Sequence, residues 1–258
     1  MGSAIGIFVR SVALALLAIA ATFGRARADT GAALPPPSPY VSLEVEASPN
    51  YDGEGGSSVQ YNWAGQLLLG SGDLLRIRYP VVIAAPPEAI TGAGDLSLYD
   101  FKVVNGARGQ WLAGVSARVP TAQNSSLGSG KYSIGPAGGY QLRSGGWTLG
   151  FFAQNYFSII GPSSRSAVGQ SKIAPVVSWT APGGWSVGLS SMNVTYDWVR
   201  NKWTEVPIGI GLGVGIGRVA PRLQRLRPLQ VSYEIEQNLA TIKDAPGWTT
   251  RLNFRWTF

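Results

Sequence analysis

The chain has 258 residues, with 21 Lys and Arg against 14 Asp and Glu, a formal net charge of +7, and neither His nor Cys. Only 14% of residues are charged, while Gly numbers 34 and Trp 9; a soluble domain carries about 25% charged residues, so the composition points away from that class. The basic balance has no Lys/Arg-rich run behind it except 218–227, which argues against nucleic acid as a partner. Without Cys or His the fold has no disulfide and lacks the usual zinc and transition-metal ligands, so no metal and no other cofactor is expected.

Residues 1–28 read as a secretory signal peptide. Arg10 supplies the positive start, 11–23 form the apolar stretch and Ala26-Arg27-Ala28 is an A-x-A cleavage site. The apolar stretch is too short for a membrane helix, and no later one approaches about 18 residues. Three basic residues, Arg10, Arg25 and Arg27, leave with the signal. A Pro-rich linker, 29–38, follows.

From 39 to 258 period-2 alternation recurs between turn-forming residues. Twelve segments are predicted: 40–47, 57–69, 74–82, 95–104, 110–119, 132–142, 147–159, 172–180, 185–196, 204–217, 229–239 and 248–258. This is the pattern of an all-β protein, a transmembrane antiparallel up-and-down β-barrel of about 12 strands in the bacterial outer membrane, in contact with its lipid. Connection lengths test that reading independently. With both termini in the periplasm, the connections on that side are tight at 70–72, 105–109, 143–146 and 181–184, and those on the other side are longer at 49–56, 83–94, 120–131 and 160–171. Two connections break the rule: 200–202 is short, and 218–228 is a long, basic excursion. A soluble sandwich or lipocalin-like barrel is the competing fold, and it would bury Phe258 in its core.

The last segment alternates most clearly. Trp248, Thr250, Leu252, Phe254, Trp256 and Phe258 share one face, and Thr249, Arg251, Asn253, Arg255 and Thr257 the other. Eight tryptophans lie near predicted strand ends: Trp111, Trp147, Trp179, Trp185 and Trp256 on the periplasmic side, Trp198, Trp203 and Trp248 on the outer side, as interface girdles require.

An enzyme is not expected. With no His, the barrel lacks the side chain that takes a proton from Ser or water near neutral pH. Gly184-Trp185-Ser186-Val187-Gly188 matches G-x-S-x-G, but where a turn enters a strand rather than where a strand enters a helix. Leu127-Gly128-Ser129-Gly130-Lys131-Tyr132 is similar to a phosphate loop, yet Ser125 replaces the first Gly and Tyr132 the Ser/Thr.

Inward positions carry the charge. Arg76, Arg78, Arg118, Arg251, Arg255, Glu44, Glu46, Glu234 and Glu236 all fall on the predicted lumen face, because a charge at a lipid-facing midplane position costs about 2 to 4 kcal/mol. Closing the barrel pairs the first and last strands and places Arg251 and Arg255 between the four glutamates. The cluster is read either as an ion-pair ladder that fills the lumen or as a set of solute contacts. Gly209, Gly211, Gly213, Gly215 and Gly217 alternate with Ile208, Ile210, Leu212, Val214 and Ile216. That bare face implies either open lumen or a bulky inward group opposite.

Gly92-Ala93-Gly94-Asp95, Pro120-Thr121-Ala122, Leu127 to Lys131, Thr195-Tyr196-Asp197-Trp198, Trp203-Thr204-Glu205-Val206-Pro207-Ile208-Gly209 and Ala245-Pro246-Gly247-Trp248 occur in order. From Asn62 onward the chain resembles the MetA-pathway phenol-degradation family of outer-membrane, transporter-like barrels. That resemblance implies a barrel that handles apolar or aromatic small molecules, and it identifies no catalytic residue. The basic stretch 218–227 and an extra Glu205 depart from the pattern and leave the register of that strand open. Phe254, Trp256 and the terminal Phe258 also resemble the C-terminal signal that the outer-membrane assembly machinery reads. The expected function is a facilitator or narrow channel for a small organic solute. The alternatives are a structural or interaction barrel with a salt-bridge-plugged lumen and a hydrophobe-binding barrel with lateral access.

Overall fold

The computed structural model describes residues 38–49, 57–69, 72–84, 91–106, 109–220, 222–239 and 247–258. The predicted signal segment, and the linker up to residue 37, lie outside the described residues. Fifteen strands form one antiparallel sheet: β1 (Tyr40–Pro49), β2 (Ser57–Leu69), β3 (Asp73–Ala84), β4 (Gly92–Ala93), β5 (Leu96–Asn105), β6 (Gln110–Val119), β7 (Tyr132–Ser144), β8 (Trp147–Ile160), β9 (Gly169–Thr180), β10 (Trp185–Leu189), β11 (Val194–Asp197), β12 (Lys202–Glu205), β13 (Pro207–Gly215), β14 (Leu229–Asn238) and β15 (Trp248–Thr257). β1 pairs with both β2 and β15, and β10 joins β9 to β13, so the sheet closes on itself. β10 with β11, and β12 with β13, each make one interrupted stave, and β4 is an adjunct of β3; the barrel is therefore 12-stranded. Closure pairs the first and last strands, so the long staves have no open edge and need no disulfide, while among the described residues the short β4 and β12 pair on one side each.

Each predicted segment overlaps one stave, with two corrections. The segment 185–196 breaks at 190–193, and 204–217 breaks at Val206 and ends at Gly215, where Ile216–Val219 turns into a helix, α1. At Val206 the backbone N–H donates to Asn238 Oδ1 at 2.9 Å instead of to the ladder. The register next to it shifts, with Glu205 opposite Thr195 but Trp203 opposite Tyr196. The extra residue there is accommodated as a bulge. Two-residue hairpins need positive φ at both central positions; Gly145 and Gly146, at +57° and +86°, meet that need between β7 and β8.

The outer surface is apolar around its middle. Val115, Ile134, Leu149, Phe151, Phe157, Ile173, Val177, Val187, Ile208, Ile210, Leu212, Ile235, Leu252 and Phe254 are all exposed. Trp111, Trp147, Trp179 and Trp185 are exposed beside the turns at the end that carries Tyr40 and Phe258, and Trp198, Trp203 and Trp248 at the opposite end. Thr257 is buried inside, which turns Trp256 outward, and the Phe258 N–H donates to Pro39 O at 3.1 Å.

Inside, one side is packed with hydrocarbon. Leu74, Phe101, Leu112, Phe152 and Val176, with Tyr99 and Tyr156, form a buried cluster along β3 and β5–β9. Phe101 stands opposite Gly114 and Phe152 opposite Gly139, so each ring has a bare neighbour to lie across.

Candidate functional site: the charged lumen

Two cavities lie beside this hydrocarbon cluster in the interior. The larger, ≈ 530 Å³, is lined by Glu44, Glu46, Arg76, Arg78, Arg118, Glu236, Arg251 and Arg255, with Lys172 and Glu205 among the other charged groups. The smaller, ≈ 80 Å³, is walled by Ser178, Ser186, Gly188, Gly211, Gly213, Ser232 and Glu234. Both are lined by Ser191, Asn253 and Arg255, so the two cavities lie on either side of these three residues.

Around the β1–β15 seam the register decides who pairs. Arg251 stands opposite Glu46 on one side and Glu234 on the other. Its Nε donates to Glu46 Oε2 at 2.9 Å, while Nη1 and Nη2 donate to the two oxygens of Glu236 at 2.8 and 3.0 Å. Such a fork on a carboxylate is among the stronger side-chain arrangements. Glu44 accepts from Arg78 Nη2 at 3.1 Å and from Asn62 Nδ2 at 2.9 Å.

Two members of the expected seam cluster do not join it. Arg255 stands opposite Ser42 and Gln230, two positions beyond the carboxylates, so among the described residues it meets none of them. Glu234 turns the other way, accepting from the Ser191 backbone N–H at 2.7 Å and its hydroxyl at 2.8 Å. To reach Ser191 it crosses β13 at Gly211, where an added Cβ would stand 3.2 Å from Glu234 Cγ. The glycine strand therefore serves both expected purposes at different heights. Near Gly209 and Gly211 it lets inward groups lie flat, and near Gly213 it borders the smaller cavity, with Ser186 Oγ 2.5 Å from where a Cβ would stand.

Other lumen groups escaped the sequence reading. Tyr40, Tyr99 and Tyr156 are buried inside, and the Tyr156 hydroxyl donates to that of Tyr99 at 2.9 Å. Glu205, noted only as an extra residue, accepts from the Thr195 hydroxyl at 2.6 Å and lies 3.9 Å from Lys172 Nζ. Period-2 parity would have turned the three tyrosines inward, and parity counted back from Gly209 would have turned Glu205 inward too; only a count forward from the exposed Trp203 fails, at the bulge.

At the mouth opposite the termini, Asp95 accepts from the Ser129 N–H at 2.7 Å, its hydroxyl at 2.9 Å and the Ala122 N–H at 3.3 Å. Arg165 donates to the carbonyls of Ser129, Ser125 and Gly128. Three of the motifs quoted for the family resemblance, around Asp95, Ala122 and Ser129, thus build one structure, a loop folded inward so that Leu127, Gly128 and Ser129 line the larger cavity.

No family model matches the chain, and no curated protein matches it. Among solved structures the barrel is similar to the COG4313 outer membrane channel from Pseudomonas putida F1, at TM-score 0.59 and 14% identity over 91% of this chain and 100% of that one. It is similar as well to NanC porin, at TM-score 0.57 and 7% identity over 84% and 98%. KdgM porin in complex with disordered oligogalacturonate aligns at TM-score 0.51 and 10% identity over 85% and 99%. At these identities the likeness is one of fold.

Proposed function

We propose that the chain is an outer-membrane channel that lets small organic solutes cross through a narrow, charged lumen. The observation that carries this reading is the joining of two surfaces of opposite character: an exposed apolar band between two rows of tryptophans outside, and inside a polar cavity of ≈ 530 Å³ with a second beside it that shares Ser191, Asn253 and Arg255 as lining. Hydrocarbon tolerates the first and water the second. The channel and porin structures that share the fold support the reading, and the family resemblance adds apolar or aromatic molecules as the solute class. Glu44, Glu46, Glu234, Glu236, Arg76, Arg78, Arg118, Arg251 and Arg255 are then the groups a solute meets. The inner hydrocarbon cluster favours a second reading, a barrel filled by its own side chains. Liposome swelling separates the two. Vesicles carrying the refolded barrel should swell in isosmotic glycerol and phenol faster than protein-free vesicles; equal rates would favour the filled barrel.

Export through residues 1–28 and assembly through Phe254, Trp256 and Phe258 belong to the same proposal. Replacing Phe258 by Asp puts a charge on the outward face of the closing strand beside Trp256, so folded, heat-modifiable barrel in the outer membrane should fall while periplasmic delivery persists. Unchanged membrane levels would remove Phe258 from that role.

A further inference from the structure

Three lumen arginines meet no acid among the described residues. Arg78 and Arg251 are held by Glu44, Glu46 and Glu236, and Lys172 lies beside Glu205. Glu234 is held by Ser191, and Asp95 by the mouth loop. Among the described residues, Arg76, Arg118 and Arg255 meet no carboxylate. They lie instead against aromatic rings. The Arg255 guanidinium is 4.8 Å from the centre of the Tyr40 ring, and that of Arg76 lies 5.9 Å from the same ring and 6.0 Å from Tyr99. Tyr99 is joined through its hydroxyl to Tyr156, over whose ring Arg118 sits at 4.3 Å. The result is a continuous arc, Arg255, Tyr40, Arg76, Tyr99, Tyr156, Arg118, running across the wall of the larger cavity.

Ring contacts orient a guanidinium but leave its in-plane N–H donors free. The Nε atoms of Arg76 and Arg255 are buried and have no hydrogen-bond partner, a costly condition for a charged donor. Both flank Tyr40. We propose that this arc is a binding track for small organic carboxylates, with Arg76 and Arg255 as the principal contacts and Arg118 as the next station toward the mouth. A carboxylate is planar, carries one negative charge and accepts two parallel N–H bonds from a guanidinium, which is the geometry these donors offer. The inference narrows the solute class of the channel proposed above and rests on that reading for transport, but not for binding.

Two measurements on the refolded full-length mature barrel test it. In a planar bilayer under a KCl gradient, wild type should prefer chloride, and added benzoate should reduce the chloride current saturably while phenol, uncharged at neutral pH, should not. The double variant Arg76→Ala/Arg255→Ala should lose chloride preference and weaken benzoate block by about tenfold or more, as expected when charge-assisted bonds are removed. Arg76→Lys/Arg255→Lys restores charge without the planar fork; it should regain chloride preference but not the block. Equal block by phenol, or block unchanged in the alanine variant, would overturn the track. If the barrel carries no current, the channel reading fails, and equilibrium dialysis with radiolabelled benzoate then decides the site: saturable binding lost in the alanine variant supports it, and no saturable binding overturns it.

Discussion

Replacing Arg251 by Ala should cost the barrel about 3 kcal/mol in a urea unfolding titration of the protein refolded into vesicles, the lower end of the range for breaking a buried ion pair. The site explains why the value is neither larger nor trivial. Arg251 is 14% exposed at its side chain and Glu236 9%, so the carboxylates left behind are largely shut off from water on the strand side. They nevertheless face a cavity of ≈ 530 Å³, large enough to admit water, and water there would screen part of the loss. Glu46 and Glu236, both bound to the same guanidinium, would be left near one another with like charge. Glu236→Gln is the informative partner: it removes one carboxylate but leaves Arg251 on Glu46, and should cost about 1 kcal/mol. In a bilayer Arg251→Ala should also widen the lumen and move selectivity toward cations. A stability loss below about 0.5 kcal/mol would mean that the triad behaves as a solvated surface pair.

The fold was legible because its signal is redundant. Alternation in the last strand, turn glycines such as Gly145 and Gly146, and the rows of tryptophans beside turns each report the same closed barrel. The lumen was harder to read. Parity alone turns Arg251 and Arg255 inward, but their partners depend on register, and four positions along one strand separate an arginine held by two glutamates from one that, among the described residues, stands opposite Ser42 and Gln230 and lies against the Tyr40 ring. The inner hydrocarbon cluster was invisible for a related reason. Leu74 and Phe152 occupy inward positions beside apolar outward ones, Leu75 and Phe151, so no contrast marks them, whereas Phe101 stands between the outward Asp100 and Lys102 and only its place in a cluster with the other two was hidden. Trp203 illustrates a third limit, since the bulge beside it resets parity partway along a stave and turns it outward although Glu205 and Pro207, two and four residues on, face the lumen. The break at 190–193 leaves no mark in a count of alternating residues, yet it is what brings Ser191 to Glu234.

The glycine strand carries the second large effect. Gly213 faces the smaller cavity between Ser186 and Ser232 of its two neighbouring strands, and at ≈ 80 Å³ that space has room only for a few waters. A Cβ on Gly213 would approach Ser186 Oγ to 2.5 Å, which a turn of that hydroxyl about χ1 relieves, and its other neighbours are at 3.6 Å or more. Gly213→Leu should therefore fold, gaining a better strand former at an interior position, while its isobutyl group occupies the space that ions need. The arms of the lumen nearer the mouth, with Glu44, Glu46 and Arg251, would be untouched. Single-channel recording of the refolded wild type beside Gly213→Leu, with both proteins checked for heat-modifiable folding, is the most direct test of an open path through this barrel. Discrete conductance steps in the wild type that vanish or fall close to baseline in Gly213→Leu are the expected result. A wild type that never conducts, or a leucine variant that conducts as the wild type does, would contradict it.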